Sequence, residues 1–314
     1  GAPDLGRERA EDFARVLGQA GHQLLARDVA LVALLAVLAR QAHGRLERFR
    51  PHHHHRRIRK QYFALIAIML IGTIGLLGYL NRQQLQIQFY ELTKPKSLPA
   101  VSTPTATPST NPLNTVEKPA TTPIAAELNL AVPFTSQAPK GIWDESHEDF
   151  CEEASTVMAA HYFQKQPFGS PDEADAEMFK LKDWQLANFG DFKSTTAAQT
   201  KLMIEKNYPA LSVALETKVD VTTIKRALNE NKLVIVPAAG RELGNPFFTA
   251  PGPVYHMLVI KGYTKDGRFI TNDPGTRKGA DYVYDEQVLL DAVGDYNHGN
   301  PANGLQVLLI ISAQ

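Results

Sequence analysis

The sequence predicts an α+β fold for the second half of the chain, and three observations support this. Helix-start signals lie between residues 149 and 221, and strand-like apolar runs lie between residues 233 and 311. Asp266-Gly267 joins two of those runs as a hairpin turn. Helices that precede antiparallel strands are typical of α+β proteins, whereas a regular alternation would indicate a parallel sheet. We therefore expect residues 126–314 to form one domain.

Each predicted helix begins at a residue that can cap it. Asp149 and Glu152 are spaced as a capping box, so the first helix is expected to run to about Phe163. The other helices are expected at Ser170-Pro171, from Thr196 to Lys206, and from Val221 to Asn229 after Asp220, with an irregular connection at residues 183–188. The predicted strands are residues 233–237, 257–263, 268–271 and 306–311.

The first 125 residues differ in character from this domain. Residues 1–60 are Arg-rich and are expected to be a helical cytoplasmic segment or an addition of different origin. Residues 62–80 are an uncharged run of nineteen, long enough to cross a hydrocarbon core of about 30 Å. Four basic residues precede this run closely, and only Arg82 follows it closely. The positive-inside rule therefore predicts a single-pass anchor at residues 61–80, with a cytoplasmic N-terminus and an extracytoplasmic domain.

Residues 81–125 are expected to be an extracytoplasmic linker. Their Pro/Thr/Ser-rich part, residues 93–123, contains seven prolines and few large apolar side chains, so it has little to bury. Such a linker would hold the downstream domain away from a lipid bilayer spanned by residues 62–80, within reach of the cell envelope.

Composition narrows the classes of function. The 33 basic and 33 acidic residues balance, which gives no electrostatic indication of a nucleic-acid partner. The single cysteine excludes an internal disulfide framework. The sequence has no Cys/His zinc spacing and no glycine-rich phosphate loop before a helix, so no metal and no cofactor are expected.

That single cysteine, Cys151, falls in the first turn of the first predicted helix. Unpaired N–H groups and the positive end of the helix dipole favour a thiolate there, and the thiolate is the nucleophilic form. The alternative is a small buried apolar residue with no chemistry.

A thiol nucleophile needs a base and a group that orients the base. His256 opens a predicted strand after a turn-rich segment and is preferred over His147 and His161. Asp273 ends the next strand before Pro274, where sheet pairing must stop. A turn centred on Asp266-Gly267 places Asp273 on the same face as His256 but four positions along the strand, about 13 Å away. Twist or a bulge must close that gap; otherwise Asp273 is only a turn-forming residue.

Other residues in this region have possible roles in binding or in catalysis. The Gln137 side-chain amide can donate to an oxyanion, together with the backbone N–H of Cys151. Trp143, Arg241 and Asn245 are candidates for lining a substrate cleft, and core packing or loop stabilisation explains each of them equally well.

The order Gln, Cys, His, Asp resembles that of papain-like cysteine peptidases. The motifs VPFTSQAP, CEEAS, GPVYHMLVIKGY and ITNDPGT resemble a bacterial branch related to family thirty-nine, which includes the double-glycine leader peptidases. The resemblance covers about residues 128–311. It implies a papain-like fold with a helical half that carries the nucleophile and an antiparallel sheet that carries His and Asp. It further implies Cys151 as nucleophile, His256 as base, Asp273 as orienting residue and Gln137 as oxyanion donor.

The sequence departs from that family pattern at the nucleophile. The family often has Cys-Gly-Pro there, whereas Glu152 and Glu153 follow Cys151 in this sequence. Carboxylates that face the thiol would oppose its ionisation, but the predicted capping box turns Glu152 toward the Asp149 N–H. We therefore expect a membrane-anchored extracytoplasmic cysteine peptidase that acts on a peptide or a peptidoglycan peptide. The alternatives are a non-catalytic papain-like binding module at the cell envelope, an acyl transferase and a peptidoglycan amidase.

Overall fold

The structure is a computed structural model that describes residues 55–94, 98–101 and 124–314, with the side chains of 55–62 and 64 left out. The chain divides into two units, one ending at Thr93 and the other beginning at Lys94. The predictions for residues 1–54, including most of the Arg-rich segment, and for the linker residues 95–97 and 102–123 lie outside the described residues.

The first unit contains two described helices, α1 (His55–Leu80) and α2 (Arg82–Thr93). Helix α2 occupies residues that the sequence assigned to the linker. Within the described residues, no helix taken alone has the length and hydropathy required to span a membrane; Leu65–Leu80 and Arg82–Thr93, bent by 66°, meet the criterion only as a pair. The membrane anchor stays a prediction.

The second unit is an α+β domain whose helices precede most of a seven-stranded antiparallel sheet, as the sequence predicted. Its helices are α3 (Cys151–Gln164), α4 (Pro171–Phe189), α5 (Ala197–Asn207), α6 (Val221–Asn229) and α7 (Glu286–Ala292). Its strands are β1 (Leu128–Asn129), β2 (Leu211–Glu216), β3 (Leu233–Ala239), β4 (Tyr255–Tyr263), β5 (Arg268–Asn272), β6 (Tyr282–Asp285) and β7 (Leu308–Ala313). The strand order is β2-β7-β3-β4-β5-β6, and β1 pairs with β4.

Local sequence explains where three of the helices begin. The Ser170 side chain caps α4 by accepting from the Glu173 N–H, with Pro171 in the first turn. Thr196 and Gln199 form a complete capping box at α5, and Asp220 caps α6. The predicted irregular connection at residues 183–188 is wrong, because no helix-breaking residue interrupts α4 before Gly190, which ends it at a φ of 78°.

Helix α3 lies in the middle of the domain, which explains its composition. It packs on β4 and on α4, and every residue from Cys151 to Tyr162 is buried. On the α4 side, α3 contributes to an apolar core made of Phe150, Ala154, Val157, Met178, Leu181, Phe192 and Met203. A helix buried on every side has no solvent-facing polar stripe, so α3 lacks a strong amphipathic pattern.

Candidate active site

Cys151 is the first residue of α3, one position earlier in the helix than the capping-box prediction placed it. Asp149 does not cap the helix. It belongs to a 3-10 turn, His147–Asp149, and its N–H donates to the carbonyl of Ser146 at 3.1 Å. Phe150 is the N-cap and makes no side-chain cap. The thiol therefore lies at the helix N-terminus, where the first N–H groups have no acceptor within the helix.

The Cys151 thiol lies against the carboxylate of its neighbour. Only 5 % of Cys151 is exposed, and its Sγ–H donates to Glu152 Oε2 at 3.0 Å. The other carboxylate oxygen, Oε1, accepts the backbone N–H of Thr195 at 2.9 Å. Burial, followed by the negative Glu152 carboxylate, raises the pKa of the Cys151 thiol well above its ordinary value, against the opposing effect of the nearby backbone N–H of Met257. In this arrangement the thiol is neutral.

His256 and Asp273 form a buried pair where β4 begins and β5 ends, in the middle of the sheet. His256 Nε2 lies 2.8 Å from Asp273 Oδ1, and the residues are 1 % and 0 % exposed. The hairpin register differs from the predicted one by two residues. Tyr263 pairs with Phe269, which is one residue off, and an irregularity between Ile260 and Gly262 adds a second shift, so that Val259 pairs with Asn272. Asp273 is thus two positions from the residue opposite His256 instead of four, and the side chains bridge the remaining distance.

Four donors surround the Asp273 carboxylate. Oδ1 faces His256 and accepts the backbone N–H of Gly275 at 2.9 Å. Oδ2 accepts from the hydroxyl of Tyr284 at 2.5 Å and from the amide of Asn245 at 3.0 Å. Burial alone would raise the pKa of Asp273, but the attraction of His256 and these hydrogen bonds outweigh it and hold the pKa below its ordinary value. Asp273 is therefore a charged group that can orient His256 and stabilise its protonated form.

The helix that carries Cys151 packs on the strand that carries His256. Met257, whose backbone N–H faces the sulfur, follows His256 directly in β4. Because Nε2 of His256 is bonded to Asp273, the remaining ring nitrogen, Nδ1, is the one free to accept a proton. Phe248 contacts the imidazole edge to face at 5.3 Å between ring centroids, which holds the ring orientation.

Gln137 is bonded to backbone on both sides of the site. Its N–H donates to the carbonyl of Pro274, beside Asp273. Its side-chain Nε2 donates to the carbonyls of His147 (2.7 Å) and Glu148 (3.0 Å), in the turn before Cys151. Both amide protons are therefore engaged, and an oxyanion would have to compete with these carbonyls for one of them.

One family matches the chain over the region that holds these residues. Residues 129–297, slightly more than half of the chain, match the Peptidase_C39 like family. The chain belongs to this family. The resemblance inferred from the Gln, Cys, His and Asp motifs is thereby confirmed, together with the α+β, C39-like fold of the domain.

Among solved structures, the domain is similar to the crystal structure of a Bacillus anthracis protein assigned as a C39-like peptidase. The two share 14 % sequence identity at a TM-score of 0.41, over 60 % of this chain and 98 % of the other. No match was found among curated proteins.

The structure brings two of the three cleft candidates to the surface of this C39-like domain. Trp143, in the loop before α3, is 41 % exposed. Arg241 is exposed, and its Nε donates to the carbonyl of Gly252 at 3.3 Å. Asn245 is instead buried behind Asp273, where its amide donates to the Asp273 carboxylate and to Tyr284. Its observed contacts are those of a residue that holds Asp273 in place.

The other two histidines considered as bases are bonded elsewhere. His147 lies between Asp144 and Asp175, with each of its ring nitrogens 2.7 Å from a carboxylate oxygen. His161, near the far end of α3, pairs with Glu177. Of His147, His161 and His256, only His256 lies on the strand that packs on the cysteine's helix, next to Met257.

Sequence reasoning missed the roles of two residues around this C39-like site, Glu152 and Tyr284. Glu152 was expected to cap its own helix, yet its carboxylate contacts the thiol of Cys151 and the N–H of Thr195. The hydroxyl of Tyr284 donates to Asp273. Tyr284 lies in β6, a strand that the sequence did not predict and that no sequence signal linked to the site. The one available signal was the pair of acidic residues directly after Cys151, which is unusual at a thiol that must ionise.

Proposed function

We propose that this C39-like domain is a cysteine peptidase, with Cys151 as nucleophile, His256 as general base and acid, and Asp273 as the residue that orients His256. The observation that carries the proposal is the buried His256–Asp273 pair at 2.8 Å, next in the chain to Met257, whose N–H faces the only cysteine. Membership of a peptidase family supports a peptide as the substrate.

The proposed reaction uses the free ring nitrogen of His256. Nδ1 takes the thiol proton, and the sulfur attacks the carbonyl carbon of a peptide bond. The backbone N–H of Cys151, at the start of α3, stabilises the negative oxygen of the tetrahedral intermediate, and Gln137 assists if its amide turns from the His147 carbonyl. The imidazolium then protonates the leaving amine. Water attacks the acyl-enzyme with His256 as base and releases the acid.

We further propose that the domain acts outside the cell membrane, held by the apolar run of residues 62–80. The basic residues before this run and the Pro/Thr/Ser-rich segment after it support that topology. A peptide of the cell envelope is the substrate class within reach of such a domain.

A second candidate is a binding module that keeps the fold without catalysis. The Cys151–Glu152 contact favours it, because a neutral thiol bonded to a carboxylate is a weak nucleophile.

Substitution of the nucleophile in the full chain tests the peptidase proposal. We expect the wild type to hydrolyse members of a mixed-sequence peptide pool, and Cys151→Ser to lose this activity while keeping the far-UV circular dichroism of the wild type. The matched control is Ser155→Ala, a change of similar size in the same buried helix, which should retain activity. Cleavage by Cys151→Ser at the wild-type rate, or a wild type that cleaves no peptide in the pool, would contradict the proposal.

A further inference from the structure

Two contacts, one of them with the thiol of Cys151, fix the carboxylate of Glu152. Glu152 is fully buried, with one oxygen on the thiol of Cys151 and the other on the Thr195 N–H. The carbonyl of Thr195 in turn accepts the hydroxyl of Tyr255 at 3.0 Å, which ties this segment to the residue before His256. The side chain of Glu152, on α3, is therefore fixed through Thr195 to β4.

We propose that Glu152 controls the ionisation of the nucleophile: its charged form holds the thiol neutral, and its protonated form donates to the sulfur and lets the Cys151–His256 ion pair form. This regulation rests on the proposed function, because it concerns the same thiol and the same base. It requires one carboxyl oxygen to reverse its role from acceptor to donor, and the 3.0 Å contact already has the distance for either direction.

Charge explains why the two states exclude each other. In the resting state Cys151 is a thiol, Glu152 is a carboxylate and His256 is neutral, so the three groups together carry a charge of about minus one. In the reactive state the thiol proton has moved to His256 Nδ1, and Glu152 has taken one proton from solvent, so the total charge is about zero. A thiolate beside an ionised Glu152 would place two negative charges in contact inside the protein, which is strongly unfavourable.

The groups around Glu152 allow this proton to be exchanged near neutral pH. Burial, followed by the negative Asp149, raises the pKa of Glu152 to about 7, against the hydrogen bonds from Cys151 and Thr195. On the same helix, burial, followed by the negative Glu152, raises the pKa of Glu153 well above its ordinary value.

The strand packed against Glu152 presents an uncharged phenol and the catalytic base. Burial raises the pKa of the Tyr255 hydroxyl well above its ordinary value, and that hydroxyl lies 3.3 Å from Asp295. His256 is the group on β4 that gains a positive charge in the reactive state, and it favours the thiolate once Glu152 is neutral. Acid should therefore activate the thiol, and alkali should return it to the resting state.

The alkylation rate of Cys151 by iodoacetamide, measured on the full chain between about pH 5 and pH 10, tests this inference. The single cysteine makes the reaction specific. We expect the wild-type rate constant to fall about tenfold between about pH 6 and pH 8, as the neutral fraction of Glu152 declines, and to rise again at higher pH. An ordinary thiol shows only the rise. A wild-type profile that rises throughout would overturn the inference without any variant.

Glu152→Gln keeps one acceptor for Thr195 and supplies a permanent donor to the sulfur. Its rate should be level between about pH 6 and pH 8 and about tenfold above the wild type at pH 8. The matched control is Glu148→Gln, the same change at an exposed position in the preceding turn, which should follow the wild-type profile. Identical profiles for Glu152→Gln and the wild type would overturn the inference.

His256→Ala separates this inference from the proposed function. If His256→Ala slows alkylation while Glu152→Gln leaves the profile unchanged, the Cys151–His256 pair stands and only the role of Glu152 fails. If His256→Ala leaves the alkylation of the wild type and of Glu152→Gln unchanged, the ion pair does not form and the peptidase proposal fails with it.

Discussion

Tyr284→Phe removes one of the four hydrogen bonds to the buried carboxylate of Asp273. The hydroxyl of Tyr284 donates to Oδ2 at 2.5 Å, and Asn245 is the donor that remains on that oxygen. A hydrogen bond to a charged group contributes about 1.5–3 kcal/mol, and at a site with no exposed surface water cannot replace it readily. We therefore expect the free energy of unfolding to fall by about 2 kcal/mol, roughly thirtyfold in the folding equilibrium constant.

Urea denaturation of the full chain at pH 7 measures this loss, with an unchanged dependence of the free energy on urea concentration. Tyr296→Phe is the matched control, since in the described part of the chain the Tyr296 ring makes only aromatic contacts. It should change the free energy by less than about 0.5 kcal/mol. A loss in Tyr284→Phe no larger than that of Tyr296→Phe would refute the conclusion that Tyr284 stabilises an ionised Asp273.

The same substitution has a defined pH dependence. Because the pKa of Asp273 is lowered by folding, its ionised form contributes stability above the unfolded pKa of about 4. That contribution is lost as the pH falls through the lower, folded pKa. The penalty of Tyr284→Phe should therefore be constant between about pH 5 and pH 8 and decrease only below about pH 4.

Two further substitutions test the local geometry. Gly275→Ala places a Cβ 2.9 Å from His256 Cε1 and 2.8 Å from Phe248 Cε1, so the imidazole must move. We expect the rate of peptide hydrolysis to fall on the order of a hundredfold. The control is Gly72→Ala, whose Cβ meets nothing within 4 Å and should leave the rate unchanged. Equal rates for the two variants would show that the ring tolerates the shift. Asp220→Ala removes the α6 cap, in which the Asp220 carboxylate accepts the Thr223 N–H at 2.7 Å. Urea denaturation should show a free energy of unfolding lower by about 1 kcal/mol, whereas Asp220→Asn should keep most of the stability. Equal losses in both variants would argue against the cap.

Local signals were sufficient for much of the domain. Asp220 fixed the start of α6 to the residue, and the start predicted at Thr196 lies one residue before that of α5, because a cap depends on one side chain and on N–H groups within a few positions. The strands found correctly, β3, β4, β5 and β7, are strongly apolar or flank Asp266-Gly267. Strands β1, β2 and β6 were missed. Strand β1 has two residues and β6 has four, and β2 buries only two of its six residues, so it lacks a strong apolar run.

Sequence alone determined the family, the α+β order of elements, and the choice of Cys151, His256 and Asp273 as the residues to examine. The tertiary structure decided what lies against each of them. The turn at Asp266-Gly267 and the irregularity beside Gly262 each shifted the register by one residue and so shortened the separation between His256 and Asp273, and β6 delivered Tyr284 to the carboxylate. The fold also directed Glu152 onto the thiol, because the Thr195 N–H on a distant segment offers its carboxylate a buried donor that the Asp149 N–H, bonded to Ser146, does not. Such contacts depend on residues far apart in the chain, and no pattern within a single segment encodes them.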